Sequence, residues 1–536
     1  MRRRVMSMLV GAVLAASTLL GAGPAAADTP PPEFGNDWHD PVTAAPPVPK
    51  PHTKSCEVTV AEAQFKDFTP YKGAYAPPEK CGKGDWGKVV LRLDGKVKGR
   101  QYDRLGYLRI GGVEVFRTST PEPSADGITW SVEKDVTRYS ETLGRDQQVE
   151  MLIGNVVDDT YTGIIDVKAT LTFYEQEKRG HASPAVPDRV VPLGDSTSLT
   201  TPRNSERIIA EVYATGSGGG CEEYWYLTVP DAAPYSCKAD HGPYREVQVK
   251  VDGQLAGIAA PFPTVWTGGW SNPFLWYVIP GPRAFDIKPI EYDLTPFAGI
   301  LNDGRPHRVE VSVVGVPAAR TGWSTPVNVL VWQDEKSDHV VTGGLTRHRE
   351  GPLANESTYK PGSGEDAHRL DTEGGHRFSV SGYVNTSHGR VATTVSRTLA
   401  NTSVHRWTDG EAMDALKATW TDRETVTTGR RAVRTYRTYT MDGTTTLGDG
   451  DRLRTRITLG DRSESATTTS GGRRGSWSVL DDRYEGDAAY TANVPRDQRH
   501  AVGTSRERYR LIGDTGCYDR TLSTVQGTLT EDRRRC

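Results

Sequence analysis

The chain has 536 residues, a formal charge of −3 at neutral pH and 36% hydrophobic residues. That length leaves room for several domains with full-sized cores. The near-neutral charge excludes a nucleic-acid partner held by bulk electrostatics, and the six cysteines point to an oxidising compartment.

Arg2, Arg3 and Arg4 precede an apolar run from Met8 to Leu20, and Ala25-Ala26-Ala27 supplies a small-residue cleavage pattern. Residues 1–27 therefore read as a secretory signal peptide cut near Ala27. The apolar run is short for a membrane span, and no later segment offers one. The expectation is an exported, soluble, monomeric protein without a membrane or nucleic-acid partner. Residues 28–55, with TPPPEF and APPVPKPH, read as a Pro-rich linker, extended and mobile.

From Cys56 onward the pattern is β throughout. KVVLRLDG, YLRIGGVEVFR, QQVEMLIGN and DVKATLTFYEQ alternate in polarity between Gly, Pro and Asp-Gly signals, and place a first β domain over 56–180. Asp94-Gly95 and Asp252-Gly253 are turn dipeptides. RGHASPAVPDRVVPLGDSTS lacks periodicity and reads as a linker over 181–200. Alternation resumes in ERIIAEVYATG, EEYWYLTV, REVQVKVDGQLAG, HRVEVSVVGV and VNVLVWQDE, a second β domain over 201–336.

The two halves run in parallel. Each has an acidic-aromatic cluster (YDR; EEYWY), a DG or GG hairpin, a Pro loop and a D-[VL]-T segment, at Asp135–Tyr139 and Asp293–Phe297. Two similar sandwiches packed side by side are expected. Over 337–536 Thr, Ser, Arg, Asp and Gly dominate, and HRFSVSGYVN, RVATTVSRTLAN and LRTRITLGD continue as a third, accessory β domain. Gly410 to Ala418 is the best short helix candidate. The cysteines fall into close couples, Cys56 with Cys81, Cys221 with Cys237 and Cys517 with Cys536, so local disulfides are expected. Each would contribute roughly 2–4 kcal/mol.

The chemistry-bearing residues cluster between Gln101 and Gly163. Asp103 lies in Tyr102-Asp103-Arg104, just before LGYLRI, where the plain alternative is a salt bridge at a strand start. Glu222-Glu223-Tyr224-Trp225-Tyr226 follows GSGGG and Cys221. On a strand, Glu223 and Trp225 would share one face, and Glu222, Tyr224 and Tyr226 the other. Trp130, Trp266, Trp270 and Trp276 suit either a core or flat platforms for sugar rings, and the paired glycines of TVWTGGW let a ligand approach. HExxH, a P-loop, GxGxxG after a strand and GxSxG are absent, and the 12 histidines form no ligand cluster. No metal or cofactor is expected. Carboxylate acid/base work remains, with Arg104 as an electrostatic stabiliser.

The segments QYDRLGYLRIGGVEVFRTSTPEP, GITWSVEKDVTRYS, IGNVVDDTYTG, NSERIIAEVYATG, CEEYWYLTV, PYREVQVKVDGQLAG, PFPTVWTGGW and IEYDLTPFAGILNDGRPHRVEV, in order over about 80–335, resemble the peptide-N4-(N-acetyl-β-glucosaminyl)asparagine amidase A family. A more distant similarity connects them to the peptide:N-glycosidase F type. The resemblance implies an all-β fold of two tandem eight-stranded jelly rolls with the site between them. It implies hydrolysis of the amide joining the innermost N-acetylglucosamine to asparagine in N-glycopeptides or N-glycoproteins. It selects Asp103 and Glu223 as catalytic, with Arg104, Glu122, Trp130, Asn155, Asp158, Glu222, Tyr224, Trp225 and Trp266 around the substrate. One departure stands out: a further acidic position of the F type falls on Asn155, which leaves Asp158 or Asp159 to replace it. A carboxylate glycoside hydrolase and a non-catalytic glycan-binding jelly roll are the alternatives.

Overall fold

The computed structural model describes residues 33–82, 86–177, 186–194, 197–217, 221–264, 266, 272–316, 322–336, 338–364, 367–469 and 474–536. The signal-peptide reading and Trp270 lie outside them.

The alternation in polarity becomes a first sandwich of eight strands: β1 (Ser55–Phe65), β2 (Tyr71–Tyr75), β3 (Trp86–Val97), β4 (Leu105–Ile110), β5 (Val113–Ser119), β6 (Ile128–Asp135), β7 (Gln147–Ile153) and β8 (Ile165–Glu175). They form two antiparallel sheets ordered β1-β8-β3-β6 and β2-β7-β4-β5. Inward residues such as Val89, Leu91, Leu108, Ile153, Leu171 and Phe173 close the core between them.

The second sandwich uses β9 (Arg189–Pro192), β10 (Ser198–Leu199), β11 (Ser205–Val212), β13 (Glu246–Val251), β14 (Gln254–Ala259), β15 (Ile290–Asp293), β16 (His307–Val314) and β18 (Val327–Gln333). A small side pair joins β12 (Thr215–Gly216) to β17 (Trp323–Ser324). Leaving that pair aside, the sheets β10-β16-β13-β14 and β15-β11-β18-β9 repeat the strand order of the first sandwich position for position. The two sandwiches thus share one strand order, with crossovers between two four-stranded sheets.

The repeated D-x-T motif has a structural cause. Asp135 and Asp293 each end the sixth strand of their sandwich, and their Oδ1 atoms accept N–H bonds from Thr137 and Thr295, both 3.0 Å. An Asp side chain satisfying the backbone two residues on stops the strand and starts a turn, and a 3-10 turn follows in both.

Four expectations need correction. Residues 181–200 are not simply a linker, because Arg189–Pro192 and Ser198–Leu199 add to the sheets of the second sandwich. Asp94-Gly95 does not turn. It lies inside β3, where Gly95 faces Trp130 and a Cβ would sit 2.3 Å from the indole, so the glycine makes room for the ring. Asp252-Gly253 does turn, with φ of 49° and 80°. The helix candidate at 410–418 is a strand from Met413, with Leu416 and Ala418 buried on one face and Lys417 exposed on the other.

The fourth correction concerns the leader. Residues 33–54 are extended but packed, as a strap between the first sandwich and the C-terminal sheet. Trp38 stacks on Tyr277 with centroids 3.8 Å apart, Ala44 is fully buried, and Asp40 accepts from Thr129 N at 2.7 Å. Proline-rich chain holds this shape at low entropic cost, and its free N–H groups are used: Val42 donates to Val278 and Ala44 to Glu507.

Residues from Thr342 to Arg534 form one eleven-stranded antiparallel sheet with strands up to 19 residues long. It backs the second sandwich through Trp420 against Trp225, Tyr484 stacked on Trp276, and the Arg283–Asp461 ion pair. All three expected disulfides are present, Cys56–Cys81, Cys221–Cys237 and Cys517–Cys536. No helix among the described residues is long and apolar enough to cross a membrane.

The strap sits on a buried acid pair. Glu507, which accepts the Ala44 N–H at 2.9 Å, is pushed up to about 7, first by burial, while Asp482 beside it is raised further. Asp461, Arg283 and Arg520 surround them. An acid whose proton affinity rises on folding stabilises at low pH, and that contribution is lost as pH rises through the folded value. The melting temperature is therefore expected to fall between pH 5 and pH 8, and Glu507→Gln should flatten this slope in a calorimetric pH series.

Candidate active site

Gln101 is the buried pin that shapes the first half of the site. Its amide donates to Val156 and Gly163 carbonyls at 2.9 and 3.2 Å, while its carbonyl oxygen accepts from the Arg104 guanidinium. The loop 99–104 is thus fastened to the loop 155–163. Thr120 fixes the other flank: its hydroxyl accepts from Arg104 N and its N–H donates to Arg104 O, both at 2.9 Å. This pairing continues the β4–β5 ladder and sets the Pro121-Glu122-Pro123 corner against Asp103. The Tyr161 and Tyr102 hydroxyls meet at 2.8 Å on the same rim, with Arg100 over the Tyr161 ring.

The second half comes from residues 221–227, which are not the strand expected from sequence. Glu222–Leu227 form a 3-10 turn. Three interactions impose it: the Cys221–Cys237 disulfide, the buried Glu222–Arg245 pair at 2.8 and 3.0 Å, and the Trp323 indole N–H on Glu222 at 2.6 Å. In a 3-10 turn adjacent residues diverge, so Glu222 points inward, fully buried, while Glu223 remains half-buried.

Packing of the sandwiches brings the halves together. Ser119 N donates to Ala284 O at 2.8 Å and Ile287 N to Arg117 O at 3.0 Å, beside buried contacts of Arg117 with Thr215 and of Glu114 with Asn328. Asp103 and Glu223 then lie close enough for the charge of one to act on the other. Glu223 is pushed up to about 7, first by burial and next by the Asp103 charge, with the Tyr224 hydroxyl opposing. Glu122 is raised well above the usual carboxylate range by the same two causes, with Arg100, Arg104 and Arg496 opposing. Proton affinities displaced this far are common where carboxyls exchange protons with a substrate.

Of the residues singled out in the sequence, Asp103, Glu122, Glu223, Arg104 and Tyr224 converge here. Others do different work. Asn155 is fully buried and donates to the Phe65 and Gly163 carbonyls, so it fastens the loop rather than replacing an acid. Asp158 caps the turn, accepting from Thr160 and Tyr161 N–H groups at 2.7 Å. Glu222 is an ion-pair partner. Trp225 packs in the core against Trp420 and Trp323, and Trp130 is buried over Gly95, so neither offers an open platform. Trp266 is partly buried, and its indole N–H has no partner among the described residues. Arg100, Tyr161, Tyr277 and Arg496 were not picked out from sequence. Arg496 lies nearly 400 residues from Asp103, where no local pattern could signal it.

Residues 45–349, more than half of the chain, match the family described as peptide N-acetyl-beta-D-glucosaminyl asparaginase amidase A. The chain belongs to that family. It is 31% identical over 407 residues, 68% of each sequence, to the peptide-N4-(N-acetyl-beta-glucosaminyl)asparagine amidase A of Prunus dulcis. A solved structure of PNGF-II aligns with a TM-score of 0.36 and 14% identity, covering 52% of this chain and 66%, just under two thirds, of that one. As a member of the amidase A family the chain is an amidase acting on N-glycans. Both sandwiches, with Asp103, Glu122 and Glu223, lie inside the matched region.

Proposed function

We propose that this amidase hydrolyses the bond between the innermost N-acetylglucosamine and the asparagine side chain of exported N-glycopeptides or N-glycoproteins. The supporting observation is the meeting of Asp103 with Glu223 across the sandwich interface. Amide hydrolysis needs a water made nucleophilic, a stabilised carbonyl oxygen and a proton for the leaving nitrogen. Asp103, whose negative charge raises both neighbours, takes the proton from water. The hydroxide adds to the amide carbon, and Arg104 or Arg100 offsets charge on the oxygen. Glu223, neutral for much of the range below about 7, gives its proton to the nitrogen as the C–N bond breaks. Aspartate remains on the peptide and the glycan leaves as a glycosylamine.

A proton donor with this affinity sets the pH response. Below about 7 Glu223 is protonated, so kcat/KM is expected to hold under mildly acidic conditions and to fall as pH rises through that value. Glu223→Gln should remove this limb and lower kcat by about 10²–10⁴. A pH–rate profile that collapses below neutrality, or full turnover by Glu223→Gln, contradicts the assignment.

A further inference from the structure

Glu122 stands where three parts of the chain meet. Asp103, Arg100, Arg104 and Tyr102 on the loop before β4, Tyr277 of the second sandwich and Arg496 of the C-terminal sheet all lie within electrostatic reach of it. The strap ties these parts together. Ala125, three residues after Glu122, donates its N–H to Asn36 O at 3.0 Å. Trp38 lies flat on Tyr277, 6° from parallel, and the Arg496 guanidinium carbon sits 5.2 Å from the Trp38 ring centroid.

On its far side the same segment is fastened to the C-terminal sheet. Phe34 N donates to Ala501 O, His39 N to Gly527 O at 2.9 Å, and Leu529 N to His39 Nδ1 at 3.2 Å. Gly527 has φ +76°, and a Cβ there would lie 2.7 Å from Phe34 and Trp38, so the contact leaves no slack. The loop that carries Arg496 is therefore held at a fixed place relative to the Pro121–Pro123 corner. Arg496 itself is exposed.

We infer that the C-terminal sheet is a working part of the active site: through the strap it lays Arg496 beside Glu122, and the guanidinium acts as a positioning residue that keeps the Glu122 carboxyl aligned with Asp103. A cation over an indole face is held without needing a carboxylate contact of its own, which leaves its field directed at Glu122. Burial and the Asp103 charge both oppose ionisation of Glu122, and Arg100, Arg104 and Arg496 act against them. This inference rests on the reading of Asp103 and Glu223 as the reacting carboxylates, with Glu122 beside them at the substrate.

The test uses the full chain and one defined N-glycopeptide. Arg496→Gln is expected to lower kcat about 10-fold with KM changed less than about 2-fold, and Arg496→Lys to restore most of the rate because it keeps the charge. In a Glu122→Gln background, Arg496→Gln should add no further loss, since residues acting through one another are not additive. Wild-type kcat in Arg496→Gln, equal losses in the Gln and Lys variants, or additive losses in the double variant would each overturn the inference. Asp103→Asn separates the two levels. If it is inactive while Arg496→Gln is unimpaired, the site reading stands and the role of the C-terminal sheet falls. If Asp103→Asn retains full turnover, the site reading itself has failed.

Discussion

Asp103→Asn is expected to lower kcat on an N-glycopeptide by about 10²–10⁴ while leaving KM and the melting temperature close to wild type. The carboxamide keeps the shape of the side chain but cannot accept a proton from water. The loop that presents it is set by Gln101, Thr120 and Asn155, all untouched by the change. The electrostatics of the site should change with it. Removing the Asp103 charge removes one of the two main causes that raise Glu223 and Glu122. Whatever residual rate remains should therefore lose its dependence on pH near 7 or shift it toward lower pH. Steady-state rates across pH, beside circular-dichroism melts, check both parts.

Arg245→Ala is expected to be the most damaging single substitution for stability around the site, at about 3–5 kcal/mol. Arg245 and Glu222 are both fully buried, and their two N–H···O bonds are joined by bonds from Arg245 to the Gly242 and Tyr244 carbonyls. Removing the cation strands a carboxylate with, among the described residues, only the Trp323 N–H as compensation. The 3-10 turn that aims Glu223 depends on Glu222 pointing inward, so activity should fall along with stability. A partial recovery is expected in Arg245→Met with Glu222→Gln, which removes the unpaired charge but not the volume. Urea titrations of the three proteins measure this; an Arg245→Ala midpoint equal to wild type would mean that the pair does not hold the turn.

The β character of the chain was legible because alternation along a strand is a local property, visible in YLRIGGVEVFR or DVKATLTFYEQ. The doubling of the sandwich was legible through the D-x-T motif, since an Asp accepting the N–H two residues on acts identically in both halves. Asp103 and Glu223 could be named from their motifs, yet their meeting depends on how Arg117, Glu114, Asn328 and Ser119 lock one sandwich to the other. The conformation of Glu222–Leu227 was misread for a comparable reason. Alternation in EEYWY looks like a strand, but a disulfide, a buried ion pair and an indole hydrogen bond to residues 16 to 101 positions away override it. The strap was misread as mobile because its composition is that of a linker, and only the Trp38–Tyr277 stack and the Ala44–Glu507 bond reveal what it packs against. Asn155 read as a lost acid; its amide instead supplies two N–H donors to two backbone carbonyls, which no carboxylate could do.

The central claim is that the carboxylates at the sandwich interface cleave the asparagine amide. Mass spectrometry of both products from one defined N-glycopeptide tests it most directly. The account predicts a peptide in which the glycosylated asparagine has become aspartate, with the intact glycan released as a glycosylamine that decays to the free sugar. A peptide that keeps asparagine bearing one N-acetylglucosamine would contradict it and identify a glycoside hydrolase, and glycan capture without any product would identify a binding protein.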